Sequence, residues 1–270
     1  MHTSHTGAAR PWYASTNMRK DDNNAQTTIN PAEIELFARL TDWWDPNGTA
    51  KSMHVLNSAR IPFIRDTLVN NTTDRNGKPL KGLKILDVGC GGGIVSEPLA
   101  MLGATVTGID PNTALIDIAE AHKNINPELE DNKPTYIATT IEEHIKQFSN
   151  YYDVLVASEV LDHIWNPEFF IQSCTKAVKP GGKIIFTGPN RTWVSRFGFV
   201  FFAEDVLKLL PKGTHHYEHF VTPEELSAIL EKNNFRVEAV QGFFYNFITD
   251  TCFFVKPRHL MYGLQATKIN

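Results

Sequence analysis

Cysteine is scarce in this chain: Cys90, Cys174 and Cys252 are the only three in 270 residues, far apart, with no CxxC pair and no zinc-ligand spacing. An odd and scattered set excludes a disulfide framework and suits a reducing compartment. Long hydrophobic runs are missing too. None reaches the roughly 18 residues that a membrane-spanning helix needs, so an integral membrane protein is excluded. Nor is there an excess of positive charge. Lys and Arg number 26 against 30 Asp and Glu, for a formal net charge of −4, which excludes the broad basic field behind non-specific nucleic-acid binding. No internal repeat is visible. What is present, 42% hydrophobic and 21% charged residues, suits a soluble domain with a sizeable core, and the length allows one to two domains at roughly 150 residues each.

Residues 1–30 are polar, rich in Asn and Thr, and have no hydrophobic period. Arg10, Arg19 and Lys20 precede any helix signal and no acid comes before Asp21. The segment reads as a tail, either disordered or a mitochondrial transit peptide. The domain then occupies 31–270. Ile34, Phe37, Ala38, Trp43 and Trp44 predict an amphipathic helix opening at Pro31 and broken by Asp45-Pro46-Asn47-Gly48. A second helix is expected over Ser58–Val69, followed by a polar loop. Strands at 84–88, 105–109, 135–138, 154–157 and 183–187 alternate with helices at 94–102, 113–124, 141–148 and 167–178. Such alternation predicts a mostly parallel sheet with helices on both faces. An apolar insertion at about 191–220 contains a helix over Arg196–Leu210. A helix at 223–233 and strands at 236–240 and 251–255 finish a sheet of seven strands.

Asp87-Val-Gly89-Cys-Gly91-Gly92-Gly93 stands where the first strand turns into a helix. Glycines there let backbone N–H groups approach a ligand closely. The dinucleotide fingerprint G-x-G-x-x-G fails, because Ile94 occupies its third glycine position, and a P-loop fails for want of Gly-Lys-Ser/Thr. The remaining pattern, D-x-G-x-G-x-G, is that of class I methyltransferases, in which the loop holds the amino-acid part of S-adenosylmethionine. Asp110 ends the next strand, about twenty residues after Gly89, where an acid accepts hydrogen bonds from ribose hydroxyls. The other strand ends face the same edge. The third offers Thr139 and Thr140 for the adenine, and the fourth Ser158 and Glu159.

Glu159, Asp162 and His163 follow the fourth strand. If the chain is helical there, positions i, i+3 and i+4 share a face. Two carboxylates and an imidazole would then suit Mg²⁺, Mn²⁺ or Zn²⁺, and a bound cation would stabilise a phenolate for attack on the methyl sulfonium. The alternative is a solvated helix face, with His163 a satisfied polar residue or a general base.

Taken together, Trp43-Trp44-Asp45, the run from Met53-His54 through Arg60 to Asp66, the glycine loop, Gly108-Ile-Asp-Pro111, Ala157-Ser-Glu-Val-Leu-Asp-His163, Pro211-Lys-Gly-Thr-His215 and Tyr245-Asn246 carry a more specific likeness. From about Ile34 to near its C-terminus the chain resembles the ubiquinone-biosynthesis O-methyltransferases, especially the animal mitochondrial type. The resemblance implies a class I Rossmann-like fold and methyl transfer to a catechol hydroxyl of polyprenylated precursors. It implies Arg60, Gly89, Asp110 and Ser158 as cofactor-binding positions, which with Asp87, Gly91 and Gly93 of the loop and Thr140 make up the expected S-adenosylmethionine site. It further implies Glu159, Asp162 and His163 as catalytic and as ligands of a divalent cation, Mg²⁺ first and Mn²⁺ or Zn²⁺ otherwise. The family carries Glu where Asp162 stands, one methylene shorter. Expected partners are a membrane surface, on the matrix side of the inner mitochondrial membrane, and other quinone-biosynthesis proteins, with no nucleic acid. The apolar insertion either rests on the bilayer or caps the site. Trp43 and Trp44 either lid the catechol or pack the first helix, and His215, His216 and His219 are loop histidines with a possible base among them. Two other functions stay open. A metal-independent methyltransferase for another small molecule would ignore chelators. An inactive scaffold would bind the cofactor without turnover.

Overall fold

Two helices precede the sheet: Pro31–Ala38 (α1), capped by the Asn30 side chain with Pro31 at its first position, and Lys51–Leu68 (α2). The sheet helices are Ser96–Met101 (α3), Thr113–Ile125 (α4), Ile141–His144 (α5), Pro167–Ala177 (α6), the single turn Trp193–Ser195 (α7) and Pro223–Lys232 (α8). The last opens with a reciprocal capping box between Thr222 and Glu225. The computed structural model describes residues 27–69, 77–129, 131–195, 220–246 and 248–269.

The strands are Lys84–Val88 (β1), Thr105–Asp110 (β2), Thr135–Ala138 (β3), Tyr152–Ser158 (β4), Val178–Pro189 (β5), Phe235–Asn246 (β6), Thr251–Val255 (β7) and Met261–Lys268 (β8). They lie side by side in the order β3-β2-β1-β4-β5-β8-β6-β7. The first five are parallel, while β8 runs antiparallel to both β5 and β6, and β7 antiparallel to β6. The strand order reverses at β1, flanked by β2 and β4, which opens a crevice beyond the carboxyl ends of these strands.

Successive side chains of a strand point to opposite faces, and here both faces are covered. Leu86, Ile109, Leu155 and Phe186 pack with Phe170 of α6 and Leu226 of α8. Ile85, Val106, Val156 and Ile185 pack with Ile64 of α2 and Leu99 of α3. This is the two-sided burial expected of a parallel sheet.

The sheet has eight strands where seven were expected. The additional one, β8, is buried along most of its length and so shows no polar alternation; its Gly263 and Gln265 further hide it from pattern reading. It lies inside the sheet, and Thr251–Val255 forms the edge. Strand β5 starts at Val178, ahead of the expected 183, because Lys179-Pro180-Gly181-Gly182 is absorbed into it through a register shift opposite β4. Helix α1 stops at Ala38, leaving Trp43 and Trp44 in turns, while α2 begins at Lys51 because Leu56 and Ala59 extend the buried face made by Phe63 and Ile64. Thr28, expected in the tail, is buried and donates from both N and Oγ1 to the Glu142 carboxylate, at 3.0 and 2.8 Å. The helix expected at 196–210, His215, His216 and His219 lie outside the described residues.

Leu155 sits mid-strand in β4 with no exposed surface. Leu155→Ala should lower unfolding free energy by about 2–5 kcal/mol, read as a lower denaturant midpoint at unchanged slope.

Candidate active site

The chain beyond β1 turns through left-handed backbone at Gly89, Gly91 and Gly93, with φ of 72°, 52° and 90°. Space as well as φ demands glycine at the first and last of these. A Cβ would lie 2.5 Å from the Val160 side chain at Gly89 and 2.3 Å from the Tyr136 hydroxyl at Gly93. The loop is held from the neighbouring strand by Asp110, whose Oδ2 accepts from Gly91 N at 3.0 Å and whose Oδ1 accepts from Asn112 N at 2.8 Å. Burial pushes the Asp110 carboxyl up to about 6, against the pull of those two backbone donors. A carboxylate has roughly four lone-pair sites, so capacity remains for ribose hydroxyls. Asp87 accepts from Ser96 Oγ at 2.6 Å and is also raised to about 6 by burial, with the Ser96 bond and the Arg60 charge pulling the other way.

Arg60 projects from α2 and is 3% exposed. Its guanidinium donates to Asn57 Oδ1, to the Met53 carbonyl and, at 2.9 Å, to Ser158 Oγ. Burial lowers its pKa, while the charges of Glu159 and Asp87 work to keep it ionised. The Ser158 and Thr187 hydroxyls are 2.6 Å apart, and Thr187 Oγ1 donates to Glu159 Oε1 at 2.9 Å. Since Thr187 gives its proton to the carboxylate, Ser158 donates to Thr187, and three hydrogen bonds run one way from guanidinium to carboxylate. Thr187, at the end of β5, escaped the sequence reading although strand ends are where such groups gather.

The helix expected after β4 is absent. Glu159 takes a left-handed φ of 56° and only a single 3₁₀ turn, Leu161–His163, follows. The i, i+3, i+4 face therefore does not form. Glu159 and His163 line the cavity described below and Asp162 does not. His163 Nδ1 lies 3.0 Å from Glu33 Oε2, and its Nε2 lies 3.3 Å from Asp162 Oδ2. Burial opposes charge on this imidazole, but Asp162, Glu33 and Glu159 outweigh it, so His163 titrates above its ordinary value. Among the described residues no group of three or more His, Cys, Asp or Glu side chains is gathered to hold a metal. As they stand, Glu159, Asp162 and His163 do not fit a cation site.

Glu33 was not singled out in the sequence, where it is one acid in a short helix. It is one of several N-terminal residues that close over the strand ends. Thr28 bonds Glu142, Asn112 Nδ2 donates to the Ile34 carbonyl at 2.9 Å, and Phe37 stands edge-on to His163 at 4.9 Å. Beneath them lies a mainly apolar cavity of about 200 Å³. It runs from Gly89, Gly91 and Asp110, past Thr139 and Thr140, to Arg60, Ser158, Glu159 and His163. Thr140 also caps α5, accepting from Glu143 N at 3.3 Å. Every residue of the expected cofactor set lines this cavity except Gly93, which packs against Tyr136.

Comparison with known proteins agrees with this geometry. A profile described as a methyltransferase domain matches residues 60–240. The mitochondrial ubiquinone biosynthesis O-methyltransferase of Rattus norvegicus is 42% identical over 243 residues, covering 89% of this chain and 70% of the rat protein. The Mus musculus counterpart is 44% identical over 226 residues, and this chain spans 61% of its length. The ubiquinone biosynthesis O-methyltransferase of Rhizobium leguminosarum is 36% identical over 247 residues, covering 90% of this chain and 96% of that protein. In fold, the chain is similar to magnesium protoporphyrin IX methyltransferase from Synechocystis with bound S-adenosylmethionine, with a TM-score of 0.56 at 18% identity over 97% of this chain and 100% of that one. With the glycine loop, Asp110 and these relatives in agreement, the chain belongs to the ubiquinone biosynthesis O-methyltransferases, S-adenosylmethionine-dependent enzymes of the class I Rossmann-like fold.

Proposed function

We propose that the protein moves the methyl group of S-adenosylmethionine to a catechol hydroxyl of a polyprenylated ubiquinone precursor. One observation carries the reading: a single cavity joins the cofactor residues to Glu159 and His163. The sulfonium methyl would lie between the loop and those side chains. A phenol must shed its proton as it attacks. Glu159, fixed by Thr187, is an acceptor within reach of that end, and His163, whose two ring nitrogens face Glu33 and Asp162, could take a proton only by giving up one of them. The mainly apolar lining suits an aromatic ring. Cation assistance would require these side chains to leave their present partners. The names of the rat and mouse relatives support a mitochondrial setting. No helix among the described residues is long and apolar enough to cross a membrane. Peripheral contact with the matrix side of the inner membrane, and with other quinone-biosynthesis proteins, belongs to this proposal.

With a short-chain prenyl dihydroxybenzoate as acceptor, Glu159→Gln should cut kcat by about 10²–10⁴-fold while S-adenosylmethionine still binds in calorimetry. Full activity in that variant removes Glu159 from the chemistry, and cofactor binding without turnover in the unaltered protein favours a scaffold. The same assay with chelator, and with Mg²⁺, Mn²⁺ or Zn²⁺ restored, decides the cation. Unchanged turnover matches the side chains as they stand, whereas loss and recovery mean that they regroup.

Cofactor affinity should also depend on pH in a fixed direction. Ribose hydroxyls need an ionised acceptor at Asp110, and the cationic sulfonium favours ionised carboxylates at both Asp110 and Asp87. Each is raised to about 6, so the Kd for S-adenosylmethionine should rise as pH falls through about 6 and level off above it. Asp110→Asn should weaken binding throughout and flatten that dependence in a calorimetric series from pH 5 to 8.

A further inference from the structure

The tandem tryptophans both stand against the glycine loop. Trp44 lies outside the glycine loop, donates from Nε1 to the Gly92 carbonyl at 2.9 Å and stacks on His122 at 3.5 Å with the rings 1° from parallel. His122 is itself anchored. Its Nδ1 lies 2.9 Å from both oxygens of Glu97, a carboxylate 1% exposed that also accepts from Asn126. Trp44 thus ties the loop to α3 and α4, and its neighbour is carried over the loop's inner side.

The Trp43 ring covers that side. A Cβ on Gly91 would meet its benzo edge at 3.0 Å and one on Gly92 its pyrrole side at 3.2 Å. His54 Nε2 lies 2.7 Å from the Trp43 carbonyl, fixing the turn from α2. Trp43 lines the cavity, and its Nε1 is buried with no hydrogen-bond partner among the described residues. A buried donor left without an acceptor is costly and rare in folded proteins, and indole N–H can only donate.

We propose that Trp43 Nε1 is a cofactor-binding donor, paired with the α-carboxylate of S-adenosylmethionine when the cofactor enters. This rests on the cofactor assignment of the cavity. The methionine half belongs beside Gly91 and Gly92. Of its two polar groups, the ammonium has no lone pair to offer and the carboxylate accepts. The ribose and adenine acceptors belong farther along, at Asp110 and Thr140. Trp44 positions the loop, and Trp43 closes its open side and completes the carboxylate's coordination.

The test is a pair of calorimetric titrations on Trp43→Phe, which keeps an aromatic ring and removes the donor. S-adenosylhomocysteine carries the amino-acid half, and 5′-methylthioadenosine lacks it. Loss of one charge-assisted hydrogen bond should raise the Kd for S-adenosylhomocysteine about tenfold and leave that for methylthioadenosine unchanged, which also shows that the variant is folded. Equal weakening of both ligands, or no weakening of either, overturns the assignment. Failure of the unaltered protein to bind either ligand would overturn the cofactor site itself.

Discussion

A guanidinium cannot be taken out of water alone. The burial of Arg60 therefore dictates much of what surrounds it, because an unpaired charge in the interior costs far more than a marginal fold can supply. Its donors are shared among α2 itself, through Asn57 and the Met53 carbonyl, and the end of β4, through Ser158. The counter-charges sit on Glu159 and Asp87, one on each side of the crevice. The fork geometry of arginine serves two directions at once, which a lysine would not reproduce. Through Ser158 and Thr187 the constraint extends to β5, so the helical extension and three adjacent parallel strands are registered to one side chain.

What the chain disclosed in advance was local. The glycine loop and Asp110 are separated by one strand-helix-strand unit, and the parallel pairing of β1 with β2 brings them together automatically. Residue types at those positions therefore carry their meaning in the sequence. Glu33 and Thr28 do not. Their partners, His163 and Glu142, lie 130 and 114 positions away, and no periodicity encodes a contact of that span. Strand β8 was hidden for a different reason: burial on both faces removes the alternation by which strands are recognised.

The helical face expected for Glu159, Asp162 and His163 is lost through a single backbone angle. Spacing of three and four has meaning only on a helix, and a residue at φ 56° cannot start one. Glu159 N donates to the Thr187 carbonyl at 2.9 Å, so pairing with β5 holds up to the residue at which the backbone turns. The carboxylate is thereby delivered to the strand edge and away from Asp162. Glu159 and His163 still line the cavity, by a route that their spacing did not describe.

The roof over the cavity also sets an order of events during synthesis. Thr28, Glu33 and the tandem tryptophans leave the ribosome before any strand of the sheet, yet the groups they meet lie just after β3 and β4 and in the loop behind β1. Domains are made from the N-terminus onward, so this segment must wait, undocked, until well over half of the chain has emerged. Enclosure of the cavity therefore cannot precede the synthesis of the strands whose ends it covers.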